Sequence, residues 1–430
     1  MPSPGGLLQL VAQGKQDVFL TGNPQISFYK VVYRRYTNFS IESSRMYFEG
    51  TPNFGQRITC LVPRFGDLLG TIFLEVTLPA LTLASNGSAV SYVNSIGHAL
   101  IEEITLEIGE QEIDKQTGQF MDLWTQLSVP AGQRDAFNVM VKRDDFYTGT
   151  EFTGQQKIIV PLQFWFCRNP GNYLPLVALQ YHPIRINIKL RSLQDMAFFD
   201  ITTVPDPCAP GLLNPVSIES IMMWGDYVML DKEERRRFVS ATHEYLIDQV
   251  QYTPKIGIPA GNALTNVKLD FNHPIRELIW YVQRDIMLNR HEYFNYSSRY
   301  IDEYFVGCND SPTDIMLSAK IQLDGQDRFD RRESSHFSLT QPFQRHTFTP
   351  IFKYIYVYSF ALRPEDVQPS GSMNASRIDS FNLLIDVNTA LWSPPASAAC
   401  NIGNCHTVVY ATNHNVLRVI DGFGGLLFKV

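Results

Sequence analysis

Long apolar runs, charge and paired cysteines are all in short supply in this sequence, and each shortage removes a class of protein. No stretch of the 430 residues approaches 18 consecutive apolar positions, so no direct membrane span is expected. Charged residues make up 18% and the net charge is −7, a mildly acidic balance that argues against a specific nucleic-acid partner. The six cysteines (Cys60, Cys167, Cys208, Cys308, Cys400, Cys405) are scattered. Only Cys400 and Cys405 lie close, at a spacing that is no zinc-knuckle pattern and with no second pair to complete a site, so reduced and mostly buried thiols are expected. The opening Met1-Pro2-Ser3-Pro4-Gly5-Gly6 has no basic region, and Leu7 to Ala12 is too short and broken for a signal-peptide core. Folding under cytosol-like conditions is the expectation.

Local signatures of catalysis are missing too. None of the nine histidines stands in His-x-His or His-x-Asp, the pairings of metal sites on β-barrel scaffolds. His243-Glu244 and His291-Glu292 open like the zinc motif His-Glu-x-x-His, but position five is Ile247 in one and Asn295 in the other. Gly50 to Arg57 has the glycine spacing of a phosphate loop, yet Gln56 and Arg57 stand where Lys and Ser/Thr are needed. No Gly-x-Ser-x-Gly elbow occurs. Adjacent acids such as Glu102/Glu103 and Asp144/Asp145 would point to opposite faces of a strand. No catalytic, metal or cofactor residue is assigned, and the chain is expected not to be an enzyme.

Alternation is what the sequence does contain. Ile72, Leu74, Val76 and Leu78 fall on one face, as do Ile104, Leu106 and Ile108, and Ile186, Ile188 and Leu190 are framed by Arg185, Asn187, Lys189 and Arg191. Val267, Leu269 and Phe271, then Leu383, Ile385 and Val387, repeat the pattern. Period two gives one wet and one buried face, the requirement of an antiparallel sandwich or barrel. The 28 Phe, 20 Tyr, 25 Pro and 27 Gly favour strands and turns in the same way. Short helices are predicted at Leu7 to Val11, stopped by Gly14, at Gln119 to Leu127, ended before Pro130, and from Asp231 onward. The last begins like a capping box, and its Asp231/Arg235 and Glu233/Arg237 spacings read as a solvated helix face.

A chain this long exceeds one ordinary core, since single cores stop growing near about 250–300 residues. Val204 to Gly211 holds three prolines and can support neither a central strand nor a helix, so the division is placed there. Leu106 to Asp114 also has a counterpart in Ile321 to Phe329, each an apolar strand, a tight Gly turn, Gln and an acid. The offset of about 215 residues is half the chain, as a duplication would give.

Gly5 to Ala12 with Gln16 to Ile26, Phe28-Tyr29-Lys30 and Tyr33 to Phe39 resemble the major capsid proteins of nucleocytoplasmic large DNA viruses, on the algal-virus and giant-virus branch. The resemblance returns at Ile108-Gly109 with Ile113 to Lys115, Pro175 to His182, His243 to Ile247, Phe271 to Pro274 and Lys320 to Phe329. It continues at Tyr358 to Leu362, Gln368 to Gly371, Ser376 to Asp379, Asn415 to Arg418 and the glycines Gly422, Gly424 and Gly425. Arg284 to Asp314 looks shorter and plainer than the loops of many relatives, and Leu426 to Val430 looks unusual.

The resemblance implies an all-β fold of two tandem eight-stranded antiparallel jelly-roll barrels with a few short helices. The expected layout is an N-terminal arm at residues 1–25, a first jelly roll at 26–204, a Pro-rich linker at 205–215 and a second jelly roll at 216–430. It implies a structural virion protein that homotrimerises into pseudo-hexameric capsomers tiling an icosahedral capsid, assembled in the host cytoplasm. Neighbouring capsomers and minor capsid proteins under the shell would be its partners. Leu7, Leu8, Leu10, Val11, Val18, Phe19 and Leu20 precede the first barrel and are expected either to fold back on it or to anchor the capsomer base to minor proteins. Asn-x-Ser sequons at Asn38, Asn86, Asn295 and Asn374 leave glycosylation open. The alternative is a carbohydrate-binding or spike-type jelly roll using loop aromatics such as Tyr293, Phe294 and Tyr296.

Overall fold

The computed structural model describes residues 4–84, 90–144, 152–199, 211–298, 313–388 and 403–429. Residues 1–38 and 39–430 form two separate units. In the first, helices α1 (Pro4–Val11) and α2 (Lys15–Thr21) are followed by chain without regular structure.

Leaving aside short strands of two or three residues at Phe48–Glu49, Ser91–Tyr92, Ala197–Phe198, Ile256–Ile258, Arg332–Glu333 and Met373–Asn374, the second unit is built from strands in two series of eight. The first series is β1 (Phe39–Met46), β2 (Arg57–Leu61), β3 (Leu68–Leu78), β4 (Ile101–Ile108), β5 (Gln111–Thr117), β6 (Gln156–Pro161), β7 (Ile184–Leu190) and β8 (Ser220–Leu230). The second is β9 (His243–Tyr252), β10 (Leu264–Lys268), β11 (Pro274–Arg284), β12 (Met316–Leu323), β13 (Gln326–Asp327), β14 (Tyr356–Ser359), β15 (Phe381–Val387) and β16 (Cys405–Ile420); a terminal strand, β17 (Phe423–Leu426), pairs with β16. The first series makes sheets of order β1-β8-β3-β6 and β2-β7-β4-β5, and the second makes β9-β16-β11-β14 and β10-β15-β12-β13. Adding eight to every label of the first pair gives the second. Each half is thus a jelly roll, and the duplication extends to every principal strand.

The period-two readings hold at the level of single side chains. Ile72, Leu74, Val76 and Leu78 of β3 are buried, as are Ile186, Ile188 and Leu190 of β7 and Leu383, Ile385 and Val387 of β15. One core lies between the sheets of each half. The matched segments at 106–114 and 321–329 are equivalent hairpins, with Ile108 opposite Gln111 and Leu323 opposite Gln326. Both turns have positive φ at both central residues, 57° and 67° at Gly109 and Glu110, 49° and 78° at Asp324 and Gly325. That is the type I′ geometry, whose twist suits a two-residue hairpin and which favours Gly and Asp.

One expectation needs adjusting. The barrels expected to be closed are open sandwiches: among the described residues each half has two main sheets that are not hydrogen-bonded to each other, and the first half adds a two-stranded ribbon of Ser91–Tyr92 with Ala197–Phe198. The sheets face each other across the core and are joined by connections, not by a continuous hydrogen-bond ladder. Strand β8 lies beyond the Pro-rich stretch yet is hydrogen-bonded between β1 and β3 of the first half. Residues 205–210 of that stretch lie outside the described residues.

The longer helices of this unit are α3 (Gly118–Ser128), α4 (Ala131–Val141) and α5 (Lys232–Ser240). Thr117 caps α3 by accepting the Phe120 N–H at 3.2 Å, and the chain leaves the helix at Val129 before Pro130. Helix α5 starts after Asp231 and buries no residue, a solvated helix as expected. Its Arg235 reaches Asp67 at 2.8 Å, which ties the helix to the first half.

Candidate assembly surfaces

Helix α3 is the wedge between the two jelly rolls. Phe120, Leu123, Trp124 and Leu127 pack on the outward face of the β9-β16-β11-β14 sheet, against Ile279, Tyr281, Val408, Tyr410 and Val357. The Phe120 ring lies 5.6 Å from that of Tyr410, whose hydroxyl is 3.1 Å from the Thr117 hydroxyl. A sheet face that would otherwise meet water is thereby converted into a third apolar core, shared by the halves.

Charged groups flank this core, each with a partner. Arg276 Nη1 lies 3.0 Å from Asp248 Oδ1, His414 Nδ1 lies 3.2 Å from it, and Arg168 of the first half lies 3.7 Å from the other carboxylate oxygen. Burial would raise the Asp248 carboxyl, but Arg276, His414 and Arg168 outweigh it and hold it below the usual carboxylate range. Arg168 also sits 4.2 Å over the Trp124 ring. Asp114 on β5 accepts the Val250 N–H of β9 at 3.1 Å and a Gln116 amide hydrogen bond at 2.7 Å. Burial dominates there, and its carboxyl is pushed up to about 6. Deeper in the second half, His346 lies 3.0 Å from Glu277 and 2.8 Å from Glu365. Burial would lower this histidine, but the two carboxylates push it up to about 9.

The C-terminal strand closes the join from the other side. Tyr181 N–H donates to the Gly422 carbonyl at 3.0 Å, and His182 Nδ1 lies 2.9 Å from the Gly424 carbonyl oxygen. A Cβ on Gly422 would lie 2.6 Å from the Tyr181 ring, and one on Gly424 2.4 Å from Leu179. Only glycine lets β17 approach this closely. The third contact is made by 291–298: Arg191 sits 4.2 Å over the Tyr293 ring, and the Tyr293 hydroxyl donates to the Asp195 carbonyl at 3.1 Å. Tyr293, Phe294 and Tyr296 are buried, so the aromatics that a sugar-binding loop would need exposed cap the fold instead. Asn295 is buried as well, Asn38 and Asn374 are exposed, and Asn86 lies outside the described residues.

The predicted arm residues divide between two helices. Leu7, Leu8, Leu10 and Val11 lie on α1, Val18, Phe19 and Leu20 on α2, and all seven are exposed. Among the described residues no three His, Cys, Asp or Glu side chains gather as a metal site, and no helix is long and apolar enough to cross a membrane. Cys60 and Cys405 are buried and Cys167 is half-buried, and the thiols of all three are pushed up to about 12 by desolvation; Cys208, Cys308 and Cys400 lie outside the described residues.

Comparison with known proteins decides the family. Residues 27–231 match the major capsid protein N-terminus family, and residues 234–425 match the large eukaryotic DNA virus major capsid protein family. The chain is 39% identical to the major capsid protein of Pyramimonas orientalis virus and 37% identical to that of Paramecium bursaria Chlorella virus 1, with 99% of both chains covered in each case. The chain belongs to the large eukaryotic DNA virus major capsid protein family. Its fold superimposes on the crystal structure of PBCV-1 VP54 fitted into a cryo-EM reconstruction of the virophage Sputnik, with a TM-score of 0.77 at 30% identity, over 94% of this chain and 100% of that one. As a capsid protein of this family, the chain forms part of the virion shell. The double jelly roll agrees with the strand order above. What sequence reasoning missed in this capsid protein is the join: the helix at α3 was legible, but not that its partner is a sheet drawn from strands between His243 and Ile420.

Proposed function

We propose that the chain homotrimerises into six-lobed capsomers that tile an icosahedral shell, assembled in the host cytoplasm. The observation that carries this reading is the equality of strand order in the two halves. Three chains with two equivalent jelly rolls each present six similar lobes, which suits hexagonal packing. The role is structural, with no reaction assigned. We place the division between the halves at α5, after β8, because that strand completes the first jelly roll. Light scattering on a sizing column tests the reading: three times 49.0 kDa is about 147 kDa, and that mass with hexagonal outlines in negative stain is expected. A monomer at every concentration would overturn it.

The arm is proposed to hold the capsomer base to minor capsid proteins. Support comes from its seven exposed apolar side chains on two short helices, an arrangement that gains from a partner. Deletion of residues 1–24 should leave the melting transition unchanged and impair shell assembly; normal capsids from the truncated chain would sink this role.

A further inference from the structure

The join between the halves has a further fastening, at the far end of α3 from Thr117. The Phe348 N–H donates to the Leu127 carbonyl, in the last turn of α3, at 2.9 Å. Arg134 of α4 lies 4.1 Å over the Phe348 ring. Residues 346–348 follow the helical turns His336–Thr340 and Gln341–Arg345, and the chain then runs to Ile355 and Val357 in the apolar core against α3. This short segment is where the second half takes hold of the end of the helix.

A histidine keeps the segment in place. The His346 side chain is fully buried, and each ring nitrogen faces a carboxylate: Nε2 lies 3.0 Å from Glu277 Oε2, and Nδ1 lies 2.8 Å from Glu365 Oε1. The two acids come from different elements, Glu277 from β11 and Glu365 from the connection that follows β14. Glu365 also accepts the Thr347 N–H at 3.1 Å and the Thr347 hydroxyl. Glu277 is fully buried, accepts the Thr412 hydroxyl of β16 at 3.2 Å and feels Arg276 as a further cation. A neutral imidazole donates from one nitrogen and carries a lone pair on the other. With an acceptor at both nitrogens, only the imidazolium satisfies both acids. Removing its proton would set a lone pair against one carboxylate and strip buried Glu277 of its nearest counter-charge, a costly arrangement until water reaches it. Water reaches Glu277 when 346–348 moves aside.

We infer that His346 is a proton-held latch on the join: its imidazolium fastens residues 346–348 to β11, and loss of that proton releases them from the end of α3. The latch lies within one chain and does not depend on the trimer reading. It is shut at neutral and acid pH and opens in alkali.

Hydrogen exchange of the full chain, read by mass spectrometry at pH 7 and pH 10, tests the latch. His346→Gln is run beside the native chain at each pH, so that the intrinsic pH dependence of exchange cancels. A folded-state value of about 9 against about 6.5 for a free histidine makes the open form about fifty- to a hundredfold more populated at pH 10 than at pH 7 in the native chain. At pH 7, peptides covering 120–128 and 346–357 should therefore exchange faster in the variant, and at pH 10 the two chains should converge. At short labelling times the core peptides at 72–78 and 383–387 should stay protected in both chains, which certifies the fold. Glu365→Gln removes the carboxylate nearer to solvent and should move the opening midpoint to lower pH. A variant-to-native ratio that is the same at both pH values would overturn the inference, since a merely structural histidine would give it. So would a Glu365→Gln midpoint that does not move, or exchange that reaches the cores as early as the join.

Discussion

Phe120→Ala should loosen the join between the halves without emptying either jelly-roll core. Phe120 is fully buried, yet it belongs to the cluster between the halves and to neither sandwich interior. Its ring lies 5.6 Å from Tyr410 and 6.2 Å from Trp124. Truncating a buried Phe to Ala typically costs about 3–5 kcal/mol, the transfer term plus the cavity left behind. About 0.5–1.5 kcal/mol of that should belong to the Phe120–Tyr410 ring pair, measurable as the coupling energy of a double-mutant cycle with Tyr410→Leu. The location of the loss decides its form. Leu74→Ala or Leu383→Ala, inside one core, should lower the stability of that half by about 2–5 kcal/mol. Phe120→Ala should instead reduce what the halves lend each other, so calorimetry of the isolated chain should show the transition broadening or splitting in two. A loss under about 1 kcal/mol, or an equally sharp single transition at lower temperature, would refute the view that α3 holds the join.

Two further predictions follow from the buried groups and the C-terminal strand. The His346 folded-state value of about 9 lies above the unfolded one of about 6.5, so its contribution is fully present below pH 6.5 and is lost as pH rises through 9. At about 1.4 kcal/mol per unit this amounts to about 3 kcal/mol. The gap in urea-unfolding stability between the native chain and His346→Gln should therefore narrow by that order between pH 6.5 and 9, and parallel curves would sink the assignment. Gly424→Val would place a Cβ 2.4 Å from Leu179, an overpacking that costs about 1–3 kcal/mol. It should free β17 from the first half and speed proteolysis at the C-terminal end, while unchanged cleavage would count against the docking of this strand.

Most of the fold was legible because its signal is local. Alternation in β3, β7 and β15 depends only on which residues face a core, and the hairpin turns at 109–110 and 324–325 depend on two adjacent φ values. Sheet closure was not legible, since period two is the same in an open sandwich and a closed barrel. The place of β8 was hidden for a related reason: prolines mark where strands cannot run, not which sheet the next strand joins. Helix α4 escaped because it buries only Val141 and so has almost no apolar stripe to read. The join was the hardest part to read. Tyr293, Phe294 and Tyr296 look alike in sequence whether they face a sugar or a neighbouring domain, and only packing showed that they are buried.

The two outward sheet faces differ in cover and in charge. Segments of one chain are held at high effective concentration, so the internal join can include costly elements such as buried Arg276 with half-buried Asp248 and Arg168, which need accurate geometry to offset desolvation. The outward face on β1-β8-β3-β6 is instead only half-buried and mixes charge with its apolar side chains. In keeping with this, Arg45 is exposed, and Glu75, bridged to Lys157, interrupts the apolar side chains. On the proposed trimer the halves of each chain would lock before chains meet. Salt separates the two contacts: high ionic strength should leave the buried charges of the join little affected, and sulfate, which strengthens apolar burial, should favour the trimer.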